Sequence, residues 1–112
     1  MVSGDEEIWR VTDPVRNTVV LTKRRWAHIL KRRRFFRQFA AELRLACSKP
    51  DAITVKDGDV YYYRQLGKKY RRYEGLYILV YARDGNPRRV ITAYLVDRFR
   101  KGEVLIWPAT SA

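Results

Sequence analysis

Cysteine occurs once in this sequence and histidine once. A lone Cys47 excludes a disulfide framework within the chain. One Cys with one His cannot supply the usual four-ligand zinc site. No run approaches the ~20 consecutive apolar residues that a helix needs to cross a bilayer, so no membrane partner is expected. Phosphate-binding loops, dinucleotide fingerprints and nucleophile elbows are missing. The few neighbouring carboxylates, Asp57 with Asp59 and Asp84 before Gly85, read as turn residues, so neither a metal nor a cofactor is expected. Acid is scarce altogether. Twelve Asp and Glu face 24 Lys and Arg, a net charge of +12, beyond the magnitude of about 2–8 that keeps a small domain soluble. That excess disfavours basic substrates and favours a polyanion.

Apolar residues make up 46% of the 112 positions, enough for one domain that buries roughly two thirds of the surface its unfolded chain exposes. Residues 1–14, polar and carrying Asp5, Glu6 and Glu7, are expected to be a flexible acidic lead-in to a single domain over 15–112. Those acids stand where a secretion signal carries cations, so a cytoplasmic location is expected. Val19, Val20 and Leu21 read as a short edge strand or an extended lead-in. Thr22 stands where a helix N-cap belongs. Trp26, Ile29 and Leu30 follow at helical spacing, and Phe36, Phe39, Ala40, Leu43 and Cys47 resume it. Arg32, Arg33 and Arg34 interrupt that stripe; two helices with a bend, or one long helix with a cationic belt, fit equally well. Pro50 ends the helical part.

Beyond Pro50 the period changes from 3.6 to 2. Strands are expected over 53–55, 60–66, 76–83, 89–96 and 104–107, with turns at Asp57-Gly58, at 84–87 and at Lys101-Gly102, and a basic loop through Gly67, Lys68 and Lys69. The fold class is α+β: N-terminal helices packed on one face of a mostly antiparallel four- to five-stranded sheet. Alternation sends Leu76, Ile78, Val80 and Ala82 towards the helices, with Ile91, Ala93 and Leu95. The opposite face then collects Tyr77, Tyr81, Arg83, Thr92 and Tyr94, joined by Tyr62 and Arg64 if the 60–66 strand is in register. An aromatic, hydroxylated and cationic face of that kind suits an open binding surface.

Eight cations and no acid lie between residues 23 and 37: Lys23, Arg24, Arg25, Lys31, Arg32, Arg33, Arg34 and Arg37. Arg64, Lys68, Lys69, Arg71 and Arg72 form a second group interleaved with Tyr70 and Tyr73. A single charge run reads as a solvated helix face. Two runs together with the overall excess favour nucleic acid, since arginine forks match phosphate and tyrosine rings stack on unpaired bases. His28 is the one side chain whose ordinary titration lies near neutrality. It either packs beside Trp26 or serves metal-free RNA cleavage, in which the ribose 2′-OH attacks and the protein supplies a base, an acid and cations.

The segments Leu21-Thr22, Trp26-Ala27-His28-Ile29-Leu30 and Lys49-Pro50-Asp51-Ala52-Ile53 resemble the helical half of the phage-associated branch of the barnase–EndoU–colicin–RelE nuclease superfamily, the BECR fold. Tyr61-Tyr62-Tyr63-Arg64, Leu76-Tyr77-Ile78-Leu79-Val80, Val90-Ile91-Thr92-Ala93-Tyr94 and Ile106-Trp107-Pro108 resemble its strand half. The resemblance implies a metal-independent endoribonuclease, often a toxin or phage-associated effector; on that reading the substrate is single-stranded or ribosome-associated RNA, and an acidic antitoxin or immunity protein could neutralise the charge. It further implies His28 as base or acid, Arg64 as a phosphate ligand, and Thr92 with Tyr94 as positioning groups. Where that family commonly shows Arg-His-Pro-Glu, this chain has Arg32, Arg33, Arg34 and Phe35. The alternative is a non-catalytic RNA- or DNA-binding or adaptor module using the same cations, with Arg24, Arg25, Tyr77, Tyr81 and Arg83 among its contacts.

Overall fold

A computed structural model describes residues 6–108. Strands β1 (Glu7–Thr12) and β2 (Thr18–Thr22) lead into α1 (Lys23–Arg32), a 3-10 segment (Arg34–Phe39) and α2 (Ala40–Ser48). Strands β3 (Ala52–Lys56) and β4 (Asp59–Gln65), a second 3-10 segment (Lys68–Tyr73), β5 (Tyr77–Arg83), β6 (Arg88–Val96) and β7 (Val104–Trp107) complete the chain. The strands form one seven-stranded mixed sheet in the order β1-β2-β6-β5-β4-β3-β7. Among the described residues no helix is long and apolar enough to cross a membrane.

The α+β class stands, but the sheet is larger than four or five strands. Residues 7–12, assigned to the flexible lead-in, pair with β2 as an antiparallel edge strand; residues 1–5 lie outside the described residues. β2 is therefore internal. It pairs in parallel with β6, at Val19–Arg88 and Val20–Arg89. Thr22 then starts α1, its hydroxyl accepting the Arg25 N–H at 3.3 Å. Arg33, at φ −140 and ψ 80, ends that helix, so the bent arrangement is the one adopted. Asp57 and Gly58, both at positive φ (52 and 82), make the two-residue turn that matches the twist of the β3–β4 hairpin.

The main core lies between the helices and one sheet face. Ile29, Phe36, Phe39, Leu43 and Cys47 meet Val19, Leu21, Ile53, Val60, Tyr62, Ile78, Val80, Ala82, Val90 and Ala93 there. Each large side chain so buried contributes roughly 1.5–3 kcal/mol. Two positions depart from strict alternation. Tyr81 faces Thr92 while Ala82 faces Val90, so Ile91 is the extra residue of a β-bulge and Val90 turns into the core. On β4 it is Tyr62 and Arg64 that face the helices, and Tyr61 and Tyr63 that face away.

Candidate nucleic-acid interface

The two basic segments meet. The first is a 3-10 turn, in which residues three apart share a side; the second is kinked at Arg71, which stands at φ 38 and ψ −95. In Arg34–Phe39 that spacing buries Phe36 and Phe39 and leaves Arg34 and Arg37 exposed. In Lys68–Tyr73 Tyr70 and Tyr73, on either side of the Arg71 kink, are half-buried, and Lys68, Lys69, Arg71 and Arg72 are exposed. The rings then interlock: Phe39 lies 5.1 Å from Tyr70 and 5.5 Å from Tyr73, and Phe35 stacks on Tyr73 at 5.8 Å and 11°. Below them Glu42 of α2 accepts from the Tyr70 hydroxyl at 3.2 Å and from Arg64 Nε at 3.1 Å. Burial, aided by the Glu42 charge, raises the Tyr70 phenol above its usual range. Among the described residues Arg34, Arg37, Lys68, Lys69, Arg71 and Arg72 have no carboxylate partner. They form a cationic surface over an aromatic base, with Phe35 left 41% exposed.

The tyrosine face, expected to be an open surface, is covered in part: Tyr61 and Tyr63 are buried, Tyr77, Tyr81, Thr92 and Tyr94 half-buried, and Arg83 exposed. The β6–β7 connection, residues 97–103, crosses it as a strap. Phe99 packs on Tyr63 at 4.6 Å and Tyr77 at 5.3 Å. Arg100 lies over the Tyr61 ring at 5.2 Å and donates to the Tyr94 hydroxyl at 2.8 Å. The Glu103 side chain, 2% exposed, accepts from the Thr54 and Tyr63 hydroxyls at 2.6 Å each. Burial and that carboxylate push the Tyr63 phenol well above its usual range. Tyr81 stacks on Tyr61 at 5.4 Å, and its hydroxyl accepts from Arg83 at 3.2 Å. These rings therefore bind one another and the strap.

The residues that the resemblance brings forward do not share one site. Arg64 lies on the helix face, fixed by Glu42 and by a 2.7 Å bond from its Nη1 to the Lys49 carbonyl. Thr92 and Tyr94 lie on the opposite face, at β5–β6 pairs Tyr81–Thr92 and Leu79–Tyr94. Thr92 Oγ1 is buried with no hydrogen-bond partner among the described residues. The Tyr94 ring carries the Arg33 guanidinium at 5.4 Å. His28 is half-buried in mid-α1 and has no hydrogen-bond partner there either. Lys31 and Arg32 are exposed at the end of the same helix, and near its start Arg24 is exposed and Arg25 half-buried.

Sequence reasoning missed Phe35 as the link between the basic segments, although the three-residue spacing of Phe36 and Phe39 was visible. It also missed Phe99, Arg100 and Glu103, which no periodicity marks. Among the described residues no three His, Cys, Asp or Glu side chains gather where a metal ion could bind. No family model, no curated protein and no solved structure matches the chain.

Proposed function

We propose that this chain is a single-stranded RNA-binding domain whose phosphate contacts come from the joined segments around Arg34, Arg37, Lys68, Lys69, Arg71 and Arg72. The observation that carries this reading is the joining itself. Two cationic runs more than thirty residues apart are held together by the Phe35–Tyr73 and Phe39–Tyr70 contacts, where repulsion alone would part them. An exposed Phe35 beside this charge offers a base a stacking partner, a contact worth about 1–3 kcal/mol. An acidic protein presenting carboxylates at phosphate spacing would compete for the same surface.

A metal-independent ribonuclease is the second reading, favoured by the unpartnered His28 on the helix that leads into the first basic segment. Arg64 has no part in it, because Glu42 and the Lys49 carbonyl occupy its guanidinium. One experiment separates the two: labelled single-stranded RNA is incubated with the protein in EDTA, and both anisotropy and strand integrity are followed. Binding that is weakened by Arg34→Gln/Arg37→Gln, with the strand intact, is the expected result. Cleavage abolished by His28→Ala establishes the nuclease instead, and no binding at all overturns both.

A further inference from the structure

A second cationic feature lies at the start of α1, between β2 and β6. β2 pairs with β6 only at Val19–Arg88 and Val20–Arg89, and β6 then bulges at Ile91. The strands part where the chain turns at Thr22 into α1. The gap is a cavity of about 150 Å³, lined by the apolar Val20, Val90 and Ile91 and by Thr22, Arg24, Arg25 and Arg89. Through Arg89 and Ile91 it adjoins a wider trough of about 410 Å³ that Pro87 and Arg83 also line.

Arg83 and Arg89 stand directly opposite each other on β5 and β6, and like charges in a cross-strand pair destabilise a sheet. Asp59, 3.8 Å away, and the Tyr81 hydroxyl attend to Arg83. Arg89 has no such partner among the described residues: Glu7, whose charge reaches it, gives both carboxylate oxygens to Arg10 at 2.9 and 2.6 Å. Arg25 is half-buried with no carboxylate partner among those residues. Two guanidiniums without a carboxylate hydrogen bond among the described residues, brought by a helix and a strand to one recess, suit a bound anion.

We propose that this cavity binds the terminal phosphomonoester of an RNA strand between Arg25 and Arg89, with the adjoining nucleotides in the trough towards Arg83. The inference rests on the RNA-binding reading and adds to it which part of the strand is held. A terminal monoester carries about −1.5 to −2 charges near neutrality, against about −1 for an internal diester. Guanidinium forks take its oxygens two at a time. A recess of this size suits a phosphate group, while the flanking sugar and base need the wider trough.

The test compares three forms of one short single-stranded RNA, ending in a 5′-phosphate, in a 3′-phosphate, or in hydroxyls at both ends, by fluorescence anisotropy with the full chain. One phosphorylated form is expected to bind at least about tenfold tighter than the dihydroxyl form, which also tells which end is held. Arg89→Gln, on an exposed strand position, is expected to erase that advantage, and Arg25→Gln to reduce it. Arg34→Gln/Arg37→Gln is expected to weaken all three forms by the same factor. Equal binding of the three forms, or an end preference that survives Arg89→Gln in a folded protein, overturns the end site while leaving RNA binding standing. Absence of binding by every form overturns both.

Discussion

Asp13 carries more of the fold than its place after a strand suggests. Its Oδ1 accepts the N–H groups of Val15 at 3.0 Å and Asn17 at 2.8 Å. Its Oδ2 accepts from the Tyr62 hydroxyl at 2.6 Å and from Arg88 Nη1 at 3.0 Å. Arg88 also donates to the Tyr62 oxygen at 3.0 Å and to Asp84 at 3.0 Å, so the buried charges of β6 and the β1–β2 turn are matched within one network. Burial first, and the bond to Asp13 second, hold the Tyr62 phenol well above its usual range, with Arg88 opposing. The folded state therefore keeps the tyrosine proton longer than the unfolded state. The stability this contributes is complete below about pH 10, where an unfolded tyrosine begins to ionise, and is lost as pH rises through the folded value. Thermal melts between neutral and strongly alkaline pH are expected to show stability falling above about pH 10. Tyr62→Phe is expected to cost about 1–3 kcal/mol at neutral pH, because Asp13 and Arg88 lose a partner, and to make the alkaline fall shallower. An alkaline slope identical in the two proteins would count against this account.

At the scale of elements, the strap over residues 97–103 decides what the sheet can present. Phe99 and Arg100 reach the tyrosine face because β5, β4 and β3 lie between β6 and β7, so their connection has to cross those strands. Removing Phe99 breaks its ring contacts with Tyr63 and Tyr77, each aromatic pair worth about 0.5–1.5 kcal/mol. Phe99→Ala is expected to destabilise the chain by roughly 1–3 kcal/mol and to change the near-ultraviolet tyrosine signal. Faster amide exchange should stay confined to the strap; exchange that speeds equally in β4 and β5 would mean that the strap is not a separate unit. The strands from β3 to β7 and both helix boundaries were legible, because Thr22, Pro50 and Asp57-Gly58 are local signals that act within a turn of chain. The neighbour of β2 was not, since a parallel pairing with β6 is decided by packing across some seventy residues of sequence. Three consecutive tyrosines, Tyr61 to Tyr63, carry the same side chain to both faces, so alternation cannot say which one is buried. Arg64 went to the wrong face for that reason. Ile91 and Val90 were misassigned because a bulge breaks the period without leaving a mark in composition.

Across the whole molecule, 52 × 35 × 21 Å in extent, the net charge of +12 is a weaker statement than its placement. Screening at physiological salt acts over about 8 Å, so a cation on one side of the molecule adds little to a strand bound on another. What a bound RNA reads is the number of phosphates it neutralises locally. That number sets the salt dependence: the logarithm of the association constant falls with the logarithm of salt concentration at a slope of about −0.7 for each phosphate contact to a single strand. If Arg34 and Arg37 each hold one phosphate, Arg34→Gln/Arg37→Gln lowers the magnitude of that slope by about 1.4, and Arg71→Gln/Arg72→Gln does the same. Arg10→Gln removes the same kind of charge, but from a guanidinium already bound to Glu7 on β1. It is expected to leave the slope unchanged. A salt titration of these variants therefore separates a surface from a sum: equal slopes for Arg10→Gln and for a single change at Arg34 would mean that total charge governs binding, and the interlocked aromatic base would then have no part in recognition.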